Sequence, residues 1–238
     1  VGAGSTGAST LVTLTAGLAT NGAGVSAAIT ETDPAGTAQY TYKAIPTVTN
    51  VALPSSVLAA GTATLAKFTV GTSGTGTVGW NRMIFDLAKT SAPTLASFTL
   101  WNADSNTEIA GTATIVDTAN AATCLNLLLA CRVSFVPTSE QQISGAVTYA
   151  LKATVGGTLA ANDYVSTHML APSVFAASAA YATVAASGGF AATYAGYGTS
   201  PSFIWSDVSA SSHATTTLDW SNDFKVRNLP TDSQTVTK

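Results

Sequence analysis

The sequence predicts an all-β protein built as an antiparallel β-sandwich, and three observations carry that prediction. Charged residues make up only 9% of the chain beside an ordinary 46% of hydrophobic ones. Surface polarity therefore falls to Thr and Ser, and a Thr-rich chain poor in Lys and Glu favours strands over helices. Low charge combined with a full apolar quota indicates a packed fold rather than disorder. Apolar residues also recur at every second position in several segments, and short turn signals separate those segments.

The opening "VGAGSTGAST" spells G-x-G-x-x-G at Gly2, Gly4 and Gly7. A dinucleotide site needs a strand before that motif, a helix after it and an acid about 20 residues on. Here the β-branched run Ser9–Thr15 follows it, and Gly17, Gly22 and Gly24 interrupt the path to the first acid, Glu31. No cofactor is expected. Instead, Val12, Leu14, Ala16 and Leu18 alternate with Thr13, Thr15 and Gly17, the pattern of a strand with one buried face. Val25, Ala27 and Ile29 repeat the alternation after Asn21-Gly22, itself a turn signal. Residues 1–45 are expected to form an N-terminal strand-forming extension, or interaction arm, and residues 46–238 the sandwich domain. The boundary is placed at Ile45-Pro46.

Beyond it, Ala66, Phe68 and Val70 alternate with Lys67 and Thr69, and Tyr149, Leu151, Ala153 and Val155 with Lys152 and Thr154. Both segments are predicted to be half-buried strands. Leu53-Pro54-Ser55-Ser56, Gly71–Gly74, Ala103–Asn106 and Gly156-Gly157 supply the turns. Leu125–Ala130 is expected to make a short helical turn inside a loop. Two long stretches, Val1–Thr30 and Tyr164–Ser206, contain no Asp, Glu, Lys or Arg. Uncharged surface favours association, because interface cores are depleted of charge; small residues of a sandwich interior are the alternative.

Nine basic and twelve acidic residues give a net charge of −3 with no basic cluster. Phosphate neutralisation needs several Lys or Arg on one face, so nucleic acid is not an expected partner. No apolar run reaches the ~20 residues of a membrane span. No charged leader with an apolar core is found, so a secreted chain would be in its mature form. The two cysteines, Cys124 and Cys131, lack the spacing of redox or zinc motifs. A local disulfide fits and implies an oxidising, extracytoplasmic setting, with two buried free thiols as the alternative.

The segment Phe203–Pro230 gathers Trp205, Asp207, Ser212, His213, Asp219, Trp220 and Asp223. A Ser-His-Asp triad can be drawn from these, but such triads are defined by geometry, and no G-x-S-x-G elbow accompanies them. The simpler expectation is strand, Ser-rich loop and strand, with both tryptophans in the core and Asp207 and Asp219 capping turns. Asn102–Glu108 alternates oxygen-bearing side chains like the start of a calcium loop, yet Thr107 stands where that loop needs Gly. A hairpin turn explains it with less. Trp80, Trp101, Trp205, Trp220, Tyr181, Tyr194 and Tyr197 would serve either as a sugar platform or as core filling. No N-x-S/T acceptor occurs, which leaves O-linked sugars on Thr.

From about Tyr42 onward, "IPTVTNVALPSSVLAAGTATLAKFTV", "GTVGWNRMIFDLAKT", "TLWNADSNTEIAGT", "VPTSEQQISGAVTYALKATVGG" and "FIWSDVSASSHATTTLDWSNDFKVRNLP" resemble the C-terminal modules of large secreted surface proteins of ultra-small, uncultivated candidate-phylum bacteria. The resemblance implies an immunoglobulin-like β-sandwich at the cell surface and carries over no catalytic residues. The Cys124–Cys131 loop departs from that pattern, and residues before Tyr42 lie outside it. Taken together, these features predict a non-enzymatic structural subunit of an extracellular filament or surface layer. It would bind copies of itself by β-strand addition. An adhesion or carbohydrate-binding surface module, with glycans as partners, is the alternative.

Overall fold

The computed structural model describes residues 41–74, 76–116, 131–173, 177–186 and 201–238, together with the backbone of residues 8–10, 18–20, 26–28 and 39–40. Four short strands come first: β1 (Ala8–Thr10), β2 (Leu18–Thr20), β3 (Ser26–Ala28) and β4 (Gln39–Thr41). β1 pairs antiparallel with β4, and β2 with β3, as separate two-stranded sheets. The β2–β3 pair brackets Asn21-Gly22, where a turn was predicted. Leu18 lies in β2 and Ala27 in β3, while Val12, Leu14, Ala16, Val25 and Ile29 fall outside the described residues.

The body continues with β5 (Ile45–Asn50), β6 (Gly61–Ser73), β7 (Val78–Lys89), β8 (Thr94–Asn102), β9 (Thr107–Glu108) and β10 (Gly111–Val116). β11 (Cys131–Pro137), β12 (Gln141–Ile143), β13 (Ala146–Gly156) and β14 (Tyr164–Met169) follow, then the six-residue helix α1 (Tyr181–Ala186). β15 (Phe203–Ser206), β16 (Trp220–Ser221), a 3-10 turn at Asp223–Lys225 and β17 (Gln234–Thr237) complete it. One sheet has five strands in the order β5-β6-β13-β8-β9. The other has eight, running β10-β11-β7-β14-β17, with β12 and β15 also paired to β7, and β16 to β15. All of these strand pairs are antiparallel, so the chain is all-β.

Buried residues of both sheets join in one core. Tyr149, Leu151, Ala153 and Val155 of β13 are buried in it while Lys152 is not, as the alternation predicted. In β6, Phe68 and Val70 are buried and Lys67 and Thr69 half-buried. A register shift at Leu151/Lys152 lets Leu65 and Ala66 both be buried, since a bulge places two residues against one. β7 carries no clean alternation because it is covered on both faces. Inward, Trp80, Met83, Phe85 and Leu87 enter the main core. On the other face a second cluster forms from Val184 of α1, Ile204 and Trp220. Phe203 and Trp205 belong to the main core and Ile204 between them to the second, so the period-two rule puts that cluster outside the eight-stranded sheet. Residues 177–186 and the 207–219 loop thus cap that face.

Two sheet edges are covered. Arg227 N–H donates to Pro46 O and Val48 N–H to Arg227 O along β5, and along β17 Leu58 N–H donates to Thr237 O and Thr237 N–H to Ser56 O. Pro46 is accommodated because this edge strand needs no ladder donor at that position. Among the described residues β10 is the last strand on its side of the eight-stranded sheet. The residues just before the predicted Ile45-Pro46 boundary already belong to the body: Tyr42 packs on Trp205 at 5.3 Å between ring centroids, and Ala44 is buried.

Candidate functional sites

The strand–loop–strand segment forms as predicted, with Trp205 and Trp220 fully buried, and it carries a part-buried cluster of a histidine and two carboxylates. His213 lies in the loop between β15 and β16. Its Nδ1 is 2.8 Å from Asp219 Oδ2 and its Nε2 is 2.8 Å from Glu140 Oε2, with the three side chains 4–15% exposed. Trp220 packs on the imidazole at 5.2 Å, and its indole N–H donates to Ala214 O. Thr217 Oγ1 donates to Asp219 Oδ1, and Ala210 N–H to Asp219 Oδ2. Burial works to raise the Asp219 carboxyl, but its bonds from Thr217, His213, Ser206 and Ala210 together hold it below the usual carboxylate range. Glu140 precedes β12 and lies over Gly79 of β7, where an added Cβ would collide with its carboxylate. Its bond to His213 therefore ties the cap to the sheet.

Chemically, this is not a nucleophilic triad. Both ring nitrogens face carboxylates, Nδ1 toward Asp219 and Nε2 toward Glu140. The partners of the His213 ring nitrogens are thus Asp219 and Glu140, and Ser212 is exposed on the loop. Glu140, 73 residues from His213 in sequence, gave no local signal.

Asp207 is fully buried, with Oδ2 accepting the Lys43 N–H at 2.6 Å. Burial pushes its carboxyl up to about 6, against the opposing Lys43 N–H bond and helped by the Asp219 charge. Asp223 accepts from the Ser202 backbone and hydroxyl and from Ser173 N–H, organising the turn around Asp223–Lys225. The aspartates of this segment thus fasten backbone, as a structural role requires.

The Asn102–Glu108 oxygens also fasten backbone. Asn102 Oδ1 accepts from Asp104 and Ser105 N–H, and Asp104 Oδ2 from Thr148 N–H, closing the β8–β9 hairpin. Among the described residues no group of three or more His, Cys, Asp or Glu is placed to hold a metal ion. Cys131 opens β11, buried and not a free thiol. Cys124 lies outside the described residues, as do Tyr194, Tyr197 and the Leu125–Ala130 turn.

Of the four tryptophans, Trp80, Trp205 and Trp220 are fully buried. Only Trp101 reaches the surface, half-buried on the outer face of the five-stranded sheet. Cross-strand register aligns Lys67, Ala150, Trp101 and Glu108 across that face. The small Ala150 between larger neighbours leaves a depression of about 170 Å³. Lys152 lies diagonal to Trp101, its Nζ 3.6 Å from the ring centroid, a close cation–π contact.

No protein-family model, curated protein or solved structure matches this chain.

Proposed function

We propose that the chain is a non-enzymatic structural subunit of an extracellular filament or surface layer, assembling by β-strand addition on an immunoglobulin-like sandwich. The observation that carries this reading is where the few charges go. Arg82, Asp86, Lys89, Asp163, Asp207, Asp219 and Asp223 are all buried. Arg132 and His168 flank Asp86 across neighbouring strands, at 3.1 and 3.9 Å. A chain that starts with 9% charge and spends much of it internally presents mainly hydroxyls, amides and small side chains. Such a surface associates without charge repulsion.

β-Strand addition needs an acceptor edge. β10, Gly-Thr-Ala-Thr-Ile-Val, is uncharged, and among the described residues it pairs only with β11. The donor is the uncharged N-terminal arm, through Val12, Leu14, Ala16 and Leu18, with Val25, Ala27 and Ile29 behind them. A head-to-tail contact of this kind is heterologous and propagates into an open polymer. The surface-module resemblance and a Cys124–Cys131 disulfide suit the same extracellular setting.

Electron microscopy of the purified chain tests it. Polymers are expected, and deletion of residues 1–30 should leave a folded monomer that no longer assembles but binds a synthetic Ser9–Ala19 peptide. A deletion product that still polymerises overturns the strand-addition model.

A further inference from the structure

The groove beside Trp101 goes beyond self-assembly and stands whether or not the chain polymerises. Trp101 is the one tryptophan that the fold leaves at the surface, while the other three are fully buried. It stands on a sheet face between the small Ala150 and Glu108, and it lines the depression that Ala150 leaves. Two lysines line that depression, Lys67 on β6 and Lys152 on β13, and no carboxylate does. Lys152 Nζ lies over the Trp101 ring, and Lys67, one strand further on, lines the same depression, while Glu108, opposite Trp101 on β9, lies outside its lining. The Lys152–Trp101 contact at 3.6 Å holds one of them against the ring instead of letting it trail into solvent. Asn106 and Thr64 add an amide and a hydroxyl to the same depression.

A second depression, of about 280 Å³, shares Pro54 and Thr64 with the first and continues it over Ser55, Ala59 and Thr62, with no charged residue lining it. The combined channel is elongated, cationic at the tryptophan end, and lined by hydroxyls and small apolar groups beyond it. An aromatic ring offers a face or edge to the C–H surface of a pyranose, the ammonium groups fit a carboxylate, and the channel is long enough for more than one sugar unit. The geometry points to an acidic oligosaccharide, a chain containing uronic acid, as the occupant of this groove. Its carboxylate would lie between Lys67 and Lys152, with a sugar ring against the part of Trp101 that Lys152 leaves uncovered and further units over Pro54 and Thr64.

The probe is oligogalacturonate, titrated into the full-length protein and followed by tryptophan fluorescence and calorimetry, with maltohexaose as the neutral control. The buried Trp80, Trp205 and Trp220 give a constant background, so the change in emission should come from Trp101. Saturable binding of the acidic sugar is expected, weakening as salt screens the lysines, with maltohexaose binding at least about tenfold more weakly. Trp101→Ala should lower affinity about tenfold or more and abolish the fluorescence change, whereas Trp101→Phe keeps part of the affinity. Lys152→Met and Lys67→Met should each weaken binding several-fold and flatten its salt dependence. All three positions lie on the outer face, so unchanged thermal unfolding checks that each of the four variants is folded. The proposal is overturned if the wild-type protein binds no oligogalacturonate at about 10 mM, or if Trp101→Ala binds it as tightly as wild type. It is equally overturned if polyglutamate, which has carboxylates but no sugar ring, binds as well and without need of Trp101.

Discussion

Leu151 illustrates how a single position ties pattern to energy. Fully buried between β6 and β8 neighbours, it has little room to be replaced by collapse of its surroundings. Leu151→Ala should cost about 2–5 kcal/mol of unfolding free energy in a chemical denaturation experiment. Lys152, one residue on, carries no comparable burden, and its truncation should leave stability nearly unchanged. Asp207 makes a pH prediction. Its folded carboxyl lies near 6 against an ordinary 3.8, so the folded state holds that proton more tightly than the unfolded chain does. The favourable contribution is complete below about pH 4 and is lost as pH rises through about 6. Asp219 runs the other way: held below its ordinary value, it stabilises above about pH 4, and that contribution fades as pH falls through its folded-state value. Asp207→Asn should therefore be more stable than wild type at pH 7–8, the difference shrinking toward pH 4. A difference that stays constant across that range would contradict the assignment.

At the scale of elements, the cap over the eight-stranded sheet depends on a few contacts. It has a small apolar cluster of its own, and the Glu140–His213 bond joins it to the sheet. Gly79→Ala should force Glu140 off His213, because the new methyl occupies the carboxylate's position. Glu140→Gln weakens the same bond without a clash, and the loss of a charge-assisted hydrogen bond is worth about 1–3 kcal/mol. Both variants should speed hydrogen exchange at Ala210–Trp220 while β6 and β13 keep wild-type protection; uniform loss of protection would show that the cap is not a separate unit. The Cys124–Cys131 pairing belongs to this scale too. Its short loop limits stabilisation to below the ~3 kcal/mol of a 15-residue loop. Native protein that takes up iodoacetamide at two thiols would disprove it.

For the whole molecule, the proposed assembly makes a salt prediction. If strand addition joins the subunits, the critical concentration should change less than about twofold between about 0.05 and 0.5 M NaCl, since uncharged main-chain hydrogen bonds are not screened. A steep salt dependence would point to ionic contacts instead. Legibility followed locality. The all-β class, the core faces of β6 and β13, the β8–β9 hairpin and the Phe203–Trp220 strand–loop–strand were readable, because period-two alternation and turn chemistry are properties of neighbouring residues. The continuous burial of β7 was not, since a strand covered on both faces loses its alternation, and which elements cover it is decided far along the chain. The same holds for the sites. His213 and Asp219 stood out together at six residues' separation, but Glu140 and Gly79 join them only through sheet pairing. Trp205 and Trp220 were expected in the core, but nothing in the sequence separated Trp101 from Trp80, and only packing decided that Trp80 is buried and Trp101 is not. The amino-acid sequence by itself determined the strands and their faces, because those follow from side-chain alternation along the backbone. Only the tertiary structure decided the His213 cluster and the groove, because each is made by residues that cross-strand register brings together from distant parts of the chain.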